Sequence, residues 1–190
     1  MTTAGVGNRI IDSVMPRYDA VLTEHVVVAA DPKTVLDAAR SMDLMTVRSP
    51  MVTVPMWIRG LPARWSGRAV SAPKRLVMGD GVLPGWVVLG ETADEFAFGA
   101  VGRFWQPVIE WRDVARDDFA GFEEPGWGKI AADFTVRPYG GGSLLSYECR
   151  TMTTDRVSRR RFRRYWWLIR PFVAHIMRAA VRTAADSTQS

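Results

Sequence analysis

Residues 155–186, DRVSRRRFRRYWWLIRPFVAHIMRAAVRTAAD, constrain the fold of this chain more than any other stretch. Phe162, Trp166, Ile169, Val173, Ile176 and Ala180 follow each other at steps of four and three, the repeat of one helical face. Arg156, Arg160, Arg163, Arg164, Arg178 and Arg182 fall on the opposite side of the same helix. Thr153 or Thr154 is placed to cap its start, Asp155 suits the positive end of the dipole, and no glycine interrupts. A helix this long spans about the width of a small domain, so its wide apolar face needs a large concave partner. A curved sheet is the obvious candidate.

The preceding residues supply the strands. Tyr18 to Ala30 is dense in valine, and its alternation puts Ala20, Leu22, Glu24, Val26 and Val28 on the inward face. Asp31-Pro32 is a strong helix start, and the helix it opens runs to about Ser41, burying Val35, Leu36 and Ala39. A second helical or irregular segment, 43–61, is broken by Pro50 and Pro55. Its Met45, Met51, Met56 and Trp57 suit the cover of a pocket. Trp86 to Glu91 and Phe96 to Trp105 read as a hairpin, with Gly99 and Gly102 predicting a bulge or a bend in its second strand. Phe119 to Phe122 is read as a short strand or loop. Lys129 to Arg137 alternates, with Ile130, Ala132, Phe134 and Val136 inward and Lys129 and Asp133 outward. Tyr139 to Gly142 reverses the chain, and Ser143 to Thr151 returns with Leu145, Tyr147 and Cys149 on one face. No internal repeat or low-complexity linker appears, so residues 1–190 are read as one domain with an N-terminal arm over 1–16.

Charge is uneven. Residues 155–182 hold nine Arg and one Asp, a net +8 in a chain whose total is +5, so the remainder is −3. The arginines admit three readings: a solvated face neutralised by the acidic segment 110–124, an anionic membrane surface met through Arg160, Arg163 and Arg164, or nucleic acid. No recognition motif supports the last, and no nucleic-acid partner is expected. Trp167 and Leu168 fall towards the arginines, which suits an interface with a membrane or a second subunit, or equally cover by the N-terminal arm. The single Cys149 excludes an internal disulfide. Neither a signal-peptide run nor about 18 uninterrupted apolar residues is found, and a cytoplasmic location is the default expectation. Two distant histidines, one cysteine, and the absence of HxH, HExxH, CxxC or GxSxG motifs give no metal or nucleophile signature, and no cofactor is expected.

The order is therefore strand, two short helical segments, five or six antiparallel strands, and one long helix. It resembles the START/Bet v 1-like superfamily, the helix-grip or SRPBCC fold, and the local residues look like an uncharacterised bacterial branch. The likeness is carried by YDAVLTEHVVVAADPKTVLDAA at 18–39, GAVGRFWQP at 99–107 and EEPGWGKIAADFTVRPYGGGSLLSYECRTMTTDRVSRRRFRRYWWLIRP at 123–171. The resemblance implies an α+β fold: a curved antiparallel sheet wrapped around the C-terminal helix, with an apolar cavity between them. Members bind lipids, sterols, polyketides or other hydrophobic molecules, and some are cyclases or hydrolases.

On that architecture, Phe96, Phe98, Phe134, Tyr147, Tyr165, Trp166, Ile169, Val173 and Ile176 are the expected cavity lining. Glu24 and Arg103 are the candidates to orient a ligand. A fully packed core is the competing account of the aromatic residues. Pro171 is expected to kink the helix, either to follow the sheet or to open one end of the cavity. The expected role is binding or carrying a hydrophobic or amphipathic small molecule. A cyclase- or hydrolase-like enzyme in the same cavity and a peripheral membrane or partner-binding module are the alternatives. The residues leave the oligomeric state open.

Overall fold

The computed structural model describes residues 9–41 and 85–188. The expected second helical segment, 43–61, lies outside the described residues. Ten elements follow in chain order: α1 (Ile10–Val14), β1 (Ala20–Val28), α2 (Pro32–Ser41), β2 (Trp86–Glu91), β3 (Glu95–Gly102), β4 (Trp111–Arg112), α3 (Arg116–Phe119), β5 (Gly128–Tyr139), β6 (Gly142–Thr153) and α4 (Arg156–Ser187).

The strands form one antiparallel, curved sheet in the order β1-β6-β5-β3-β2, with β4 paired to β3. Its spine is the β5–β6 hairpin, in register from Gly128↔Thr153 to Tyr139↔Gly142. The reversal needs Gly140, whose φ of +58° is costly for a residue with a Cβ. β1 pairs with β6 from Ala20↔Thr151 to Val28↔Ser143, so the first strand lies beside the last. With the long C-terminal helix across this sheet, the chain has the helix-grip arrangement that the resemblance implies.

Strand alternation sorts the side chains into two layers. On the concave face Phe96, Phe98, Phe134, Leu145 and Tyr147 are buried against Val35, Leu36 and Ala39 of α2 and against Met177, Ala180, Val181 and Ala184 of α4. Asp31 caps α2 as expected: its carboxylate accepts hydrogen bonds from Thr34 N at 3.1 Å and Thr34 Oγ1 at 2.6 Å. On the convex face Ala97, Val101 and Ala131 lie under Ile11 and Met15, from α1 and its C-terminal flank, and under Phe119 of α3.

Several expectations need correction. The cap of α4 is Asp155, neither threonine: its carboxylate accepts from Val157 N at 2.7 Å and Ser158 N at 2.9 Å. The bulge is on β2, between Val88 and Gly90, and not at Gly99 or Gly102. Gly99 serves close packing instead, since a Cβ there would lie 2.8 Å from both the Ile130 carbonyl and the Phe119 ring. Residues 116–119 are a helical turn whose Phe119 is fully buried, and only 120–122 form the expected loop. Lys129 and Asp133 do point away from the concave face, yet each is only 1% exposed, because α1 and α3 roof that side. Finally, the apolar stripe of α4 is only half covered. Phe162 and Ala180 are buried, whereas Trp166, Ile169, Val173 and Ile176 are half-buried. The deepest contacts shift to Met177, Val181, Ala184 and Ala185.

Candidate ligand groove

Helical spacing explains the site. Arg159, Arg163, Trp166, Arg170, Ala174 and Arg178 succeed each other at steps of three and four, so they line one flank of α4. That flank runs beside the inward residues of edge strand β1. Between them lies a groove of about 870 Å³, with Leu22, Trp166, Pro171 and Ala174 as apolar walls. The volume is within the range of small-molecule sites, about 300–1,000 Å³.

Both acids of the groove are engaged. Arg159 Nε meets Asp19 Oδ1 at 2.7 Å, and Asp19 Oδ2 also accepts from Thr153 N and Oγ1 at 2.8 and 2.6 Å. Towards the other end Arg178 donates twice to Glu24, from Nη2 at 2.8 Å and Nε at 3.2 Å. Arg163 and Arg170 sit between these two pairs, and neither has an acidic partner among the described residues. The groove thus combines an apolar wall with two guanidinium groups that have no acidic partner among the described residues. A second depression of about 620 Å³ adjoins it, bounded by Arg160, Arg163, Arg164 and Trp167. α4 continues through Pro171, which lines the groove while removing the usual hydrogen bond to the Trp167 carbonyl.

The sequence-predicted site residues do not all meet here. Phe96, Phe98, Phe134 and Tyr147 form a buried stack on the concave face, with Phe134 and Tyr147 centroids 4.3 Å apart. Val173 packs against that cluster, and Tyr165, Ile169 and Ile176 are half-buried along α4. Trp166 and Glu24 line the groove. Arg103 lies elsewhere: it donates to the Gly126 carbonyl at 3.1 Å and to Glu110 at 2.9 Å, and stacks 4.2 Å over Trp127. Sequence reasoning missed Asp19, Leu22, Arg159, Arg170 and Ala174. Their signal was the row along the border between the apolar stripe and the arginines, which becomes visible once β1 is known to lie beside it.

Ionisation on the concave face favours neutral forms. Burial pushes the Cys149 thiol up to about 12 and raises the Tyr147 hydroxyl well above its ordinary value. Neither is poised as a nucleophile.

A second charged constellation lies on the convex face. Asp133 and Glu148 are cross-strand partners there, and Glu95 lies on the neighbouring strand. Arg9 bridges Glu148 at 3.1 Å and Asp133 at 3.4 Å, and Arg150 binds Glu148 and Asp12, each at 2.6 Å. Arg150 also donates to the Met15 carbonyl at 2.9 Å, while Glu95 accepts from Ile10 N at 2.8 Å and Ile11 N at 3.1 Å. These bonds hold α1 on the sheet. Both Asp133 oxygens lack a well-formed hydrogen bond, and burial pushes that carboxyl up to about 8, against the pull of Arg9 and with the help of Glu95 and Glu148. Among the described residues no cluster of His, Cys, Asp and Glu could hold a metal ion.

No protein-family model matches the chain, and no curated protein sequence matches it significantly. Three solved structures are distantly similar to it. TTHA0849 from Thermus thermophilus is similar with a TM-score of 0.36 and 9% identity, over 90% of this chain and 97% of that one. Ara h 8.0201 gives 0.30 and 8%, over 88% and 98%. The Zhui aromatase/cyclase from Streptomyces sp. R1128 gives 0.28 and 9%, over 90% and 93%. TM-scores this low carry no argument about this chain. Its fold rests on the strand order and the helix described above.

Proposed function

We propose that this chain binds an amphipathic small molecule, with an apolar body and an acidic head group, in the groove between β1 and α4. One observation carries the reading: Arg163 and Arg170 have no acidic partner among the described residues, in a groove whose own acids are already paired. The head group takes hydrogen bonds from these guanidinium groups, and the body lies along Leu22, Trp166, Pro171 and Ala174. Half-buried Ile169, Val173 and Ile176 extend the apolar surface of α4 towards the aromatic stack. A fatty acid or an acidic polyketide-like molecule has this chemistry. Holding is favoured over transforming, because the groove acids are tied up in ion pairs and the ionisable groups of the aromatic stack are kept neutral.

The test is a binding titration with a fluorescent long-chain fatty acid and its uncharged methyl ester. A hydrogen bond to a charged group is worth about 1.5–3 kcal/mol, so the acid should bind at least about tenfold more tightly. Arg163→Gln with Arg170→Gln should erase that preference, and Ala174→Trp should exclude both ligands by filling the groove. Failure of the wild-type protein to bind either one, or equal binding of both, would refute the reading. Native mass spectrometry of the purified protein adds an independent check for a co-purified acidic guest.

A further inference from the structure

We infer that the outward face of the N-terminal half of α4 docks on an anionic lipid bilayer, lying in the interface plane with Trp167 and Leu168 turned into the headgroups. Trp167 is 83% exposed and Leu168 62%, the two highest values among the large apolar side chains described. They do not stand alone. Arg160, Arg164, Trp167 and Leu168 recur at helical spacing on one exposed face, and Arg161 flanks them. No acidic residue occurs from Arg156 to Ala185. Among the described residues no ion pair joins the acidic segment 110–124 to this face, and two of its acids are paired elsewhere, Glu110 with Arg103 and Glu124 with Arg112. The acids that do reach α4, Asp19 and Glu24, meet Arg159 and Arg178 on the groove flank.

This chemistry matches a bilayer surface of negative charge. Tryptophan favours the headgroup level, where its ring is apolar and its N–H is wet, and arginine stems bury their methylenes while the guanidinium groups reach phosphate. An amphipathic helix rich in arginine with an exposed tryptophan is the interfacial type, and no described helix is long and apolar enough to cross. Arg163 and Trp167 border both this face and the ligand groove, so docking would bring the groove mouth to the lipid surface. The inference stands apart from the ligand reading, since the face can meet a bilayer with the groove empty.

The experiment is co-sedimentation of the full chain with vesicles of phosphatidylcholine alone or with about 30% phosphatidylglycerol, at low and high salt, alongside brominated-lipid quenching of Trp fluorescence. Binding is expected only to the anionic vesicles, and screening should weaken it at least tenfold in high salt. Arg160→Gln with Arg164→Gln should lower the partition coefficient about 20- to 30-fold, from roughly fivefold for each charge removed. Trp167→Ser with Leu168→Ser should abolish the quenching and lower partition about tenfold. Fatty-acid binding by the Arg160→Gln, Arg164→Gln protein and an unchanged circular dichroism spectrum separate lost docking from lost folding. Ala174→Trp should still sediment with vesicles while failing to bind fatty acid, which separates this inference from the ligand reading. No anionic-vesicle binding, equal binding to neutral vesicles, or a dimer that shields Trp167 and ignores vesicles would each overturn it.

Discussion

Arg150, on β6, and Arg164, on α4, live in opposite surroundings. Arg150 is 6% exposed beneath α1, with Glu148, Asp12 and the Met15 carbonyl around its guanidinium. Arg164 is exposed on α4 with no ion pair among the described residues. The first contributes to the fold through geometry that leaves little room for change. The second makes no comparable packing contact, which leaves it available to something outside the fold. Sorting the arginines by what already satisfies them therefore separates architecture from recognition better than counting charge does.

The sharpest way to break this contrast is to remove the same charge from each region. Arg150→Met should destabilise the protein by about 3–5 kcal/mol in urea denaturation, because Glu148 would keep only Arg9 as a partner among the described residues and the Met15 carbonyl would lose its buried donor. Arg164→Met should stay within about 0.5 kcal/mol of wild type. Similar losses at both positions would show that α4's exposed face is structural after all.

Asp133 sharpens the same contrast through pH. Its carboxyl titrates near 4 in the unfolded chain and at about 8 when folded. Between those values the folded state holds a proton that the unfolded state has released. Stability from this group therefore falls as pH rises through the window, by up to about 1.4 kcal/mol per pH unit. Asp133→Asn should flatten that slope, seen as urea midpoints that converge with wild type at low pH and exceed it at pH 7. A wild-type slope unchanged in the variant would place the buried proton elsewhere in the Glu95–Asp133–Glu148 group.

A smaller effect is expected where α4 leaves the sheet. Asp155→Ala loses the cap to Val157 and Ser158 and the bond from Gly126 N at 2.7 Å. The cost should be about 1 kcal/mol, readable as a lowered thermal midpoint. Its carboxyl is drawn down to about 2 mainly by the Ser158 hydroxyl, so the ionised cap's contribution is lost progressively as pH falls from the ordinary carboxylate range through that value. The smallest stability effect should come from Trp167→Ser, which leaves the core untouched while removing the residue on which docking depends.

How much of this was readable beforehand follows from the range of each interaction. The α4 repeat, the Asp31-Pro32 start and the β5–β6 alternation are local patterns, and each produces the element it predicts. Alternation also assigns faces correctly, yet it cannot say whether a face is roofed. Lys129 shows the limit: its Nζ donates to the Phe119 and Ala120 carbonyls at 3.1 and 2.9 Å under a helical turn distant from the strand pattern. Burial lowers its pKa, an effect that periodicity does not carry. The groove was hidden for a similar reason. Arg163 and Arg170 become a site only because β1, far away in sequence, supplies the other wall and brings acids for their neighbours but not for them.

The antiparallel pairing of β1 with β6 has a consequence for how the molecule comes into being. A ribosome delivers Ala20 long before Thr151, so the opening strand waits, edges unsatisfied, while nearly all of its future sheet is still being made. The groove between Leu22 and Trp166 therefore lacks its second wall until the closing helix has emerged. A chain cut short of that helix leaves its valine-rich strand open to passing neighbours.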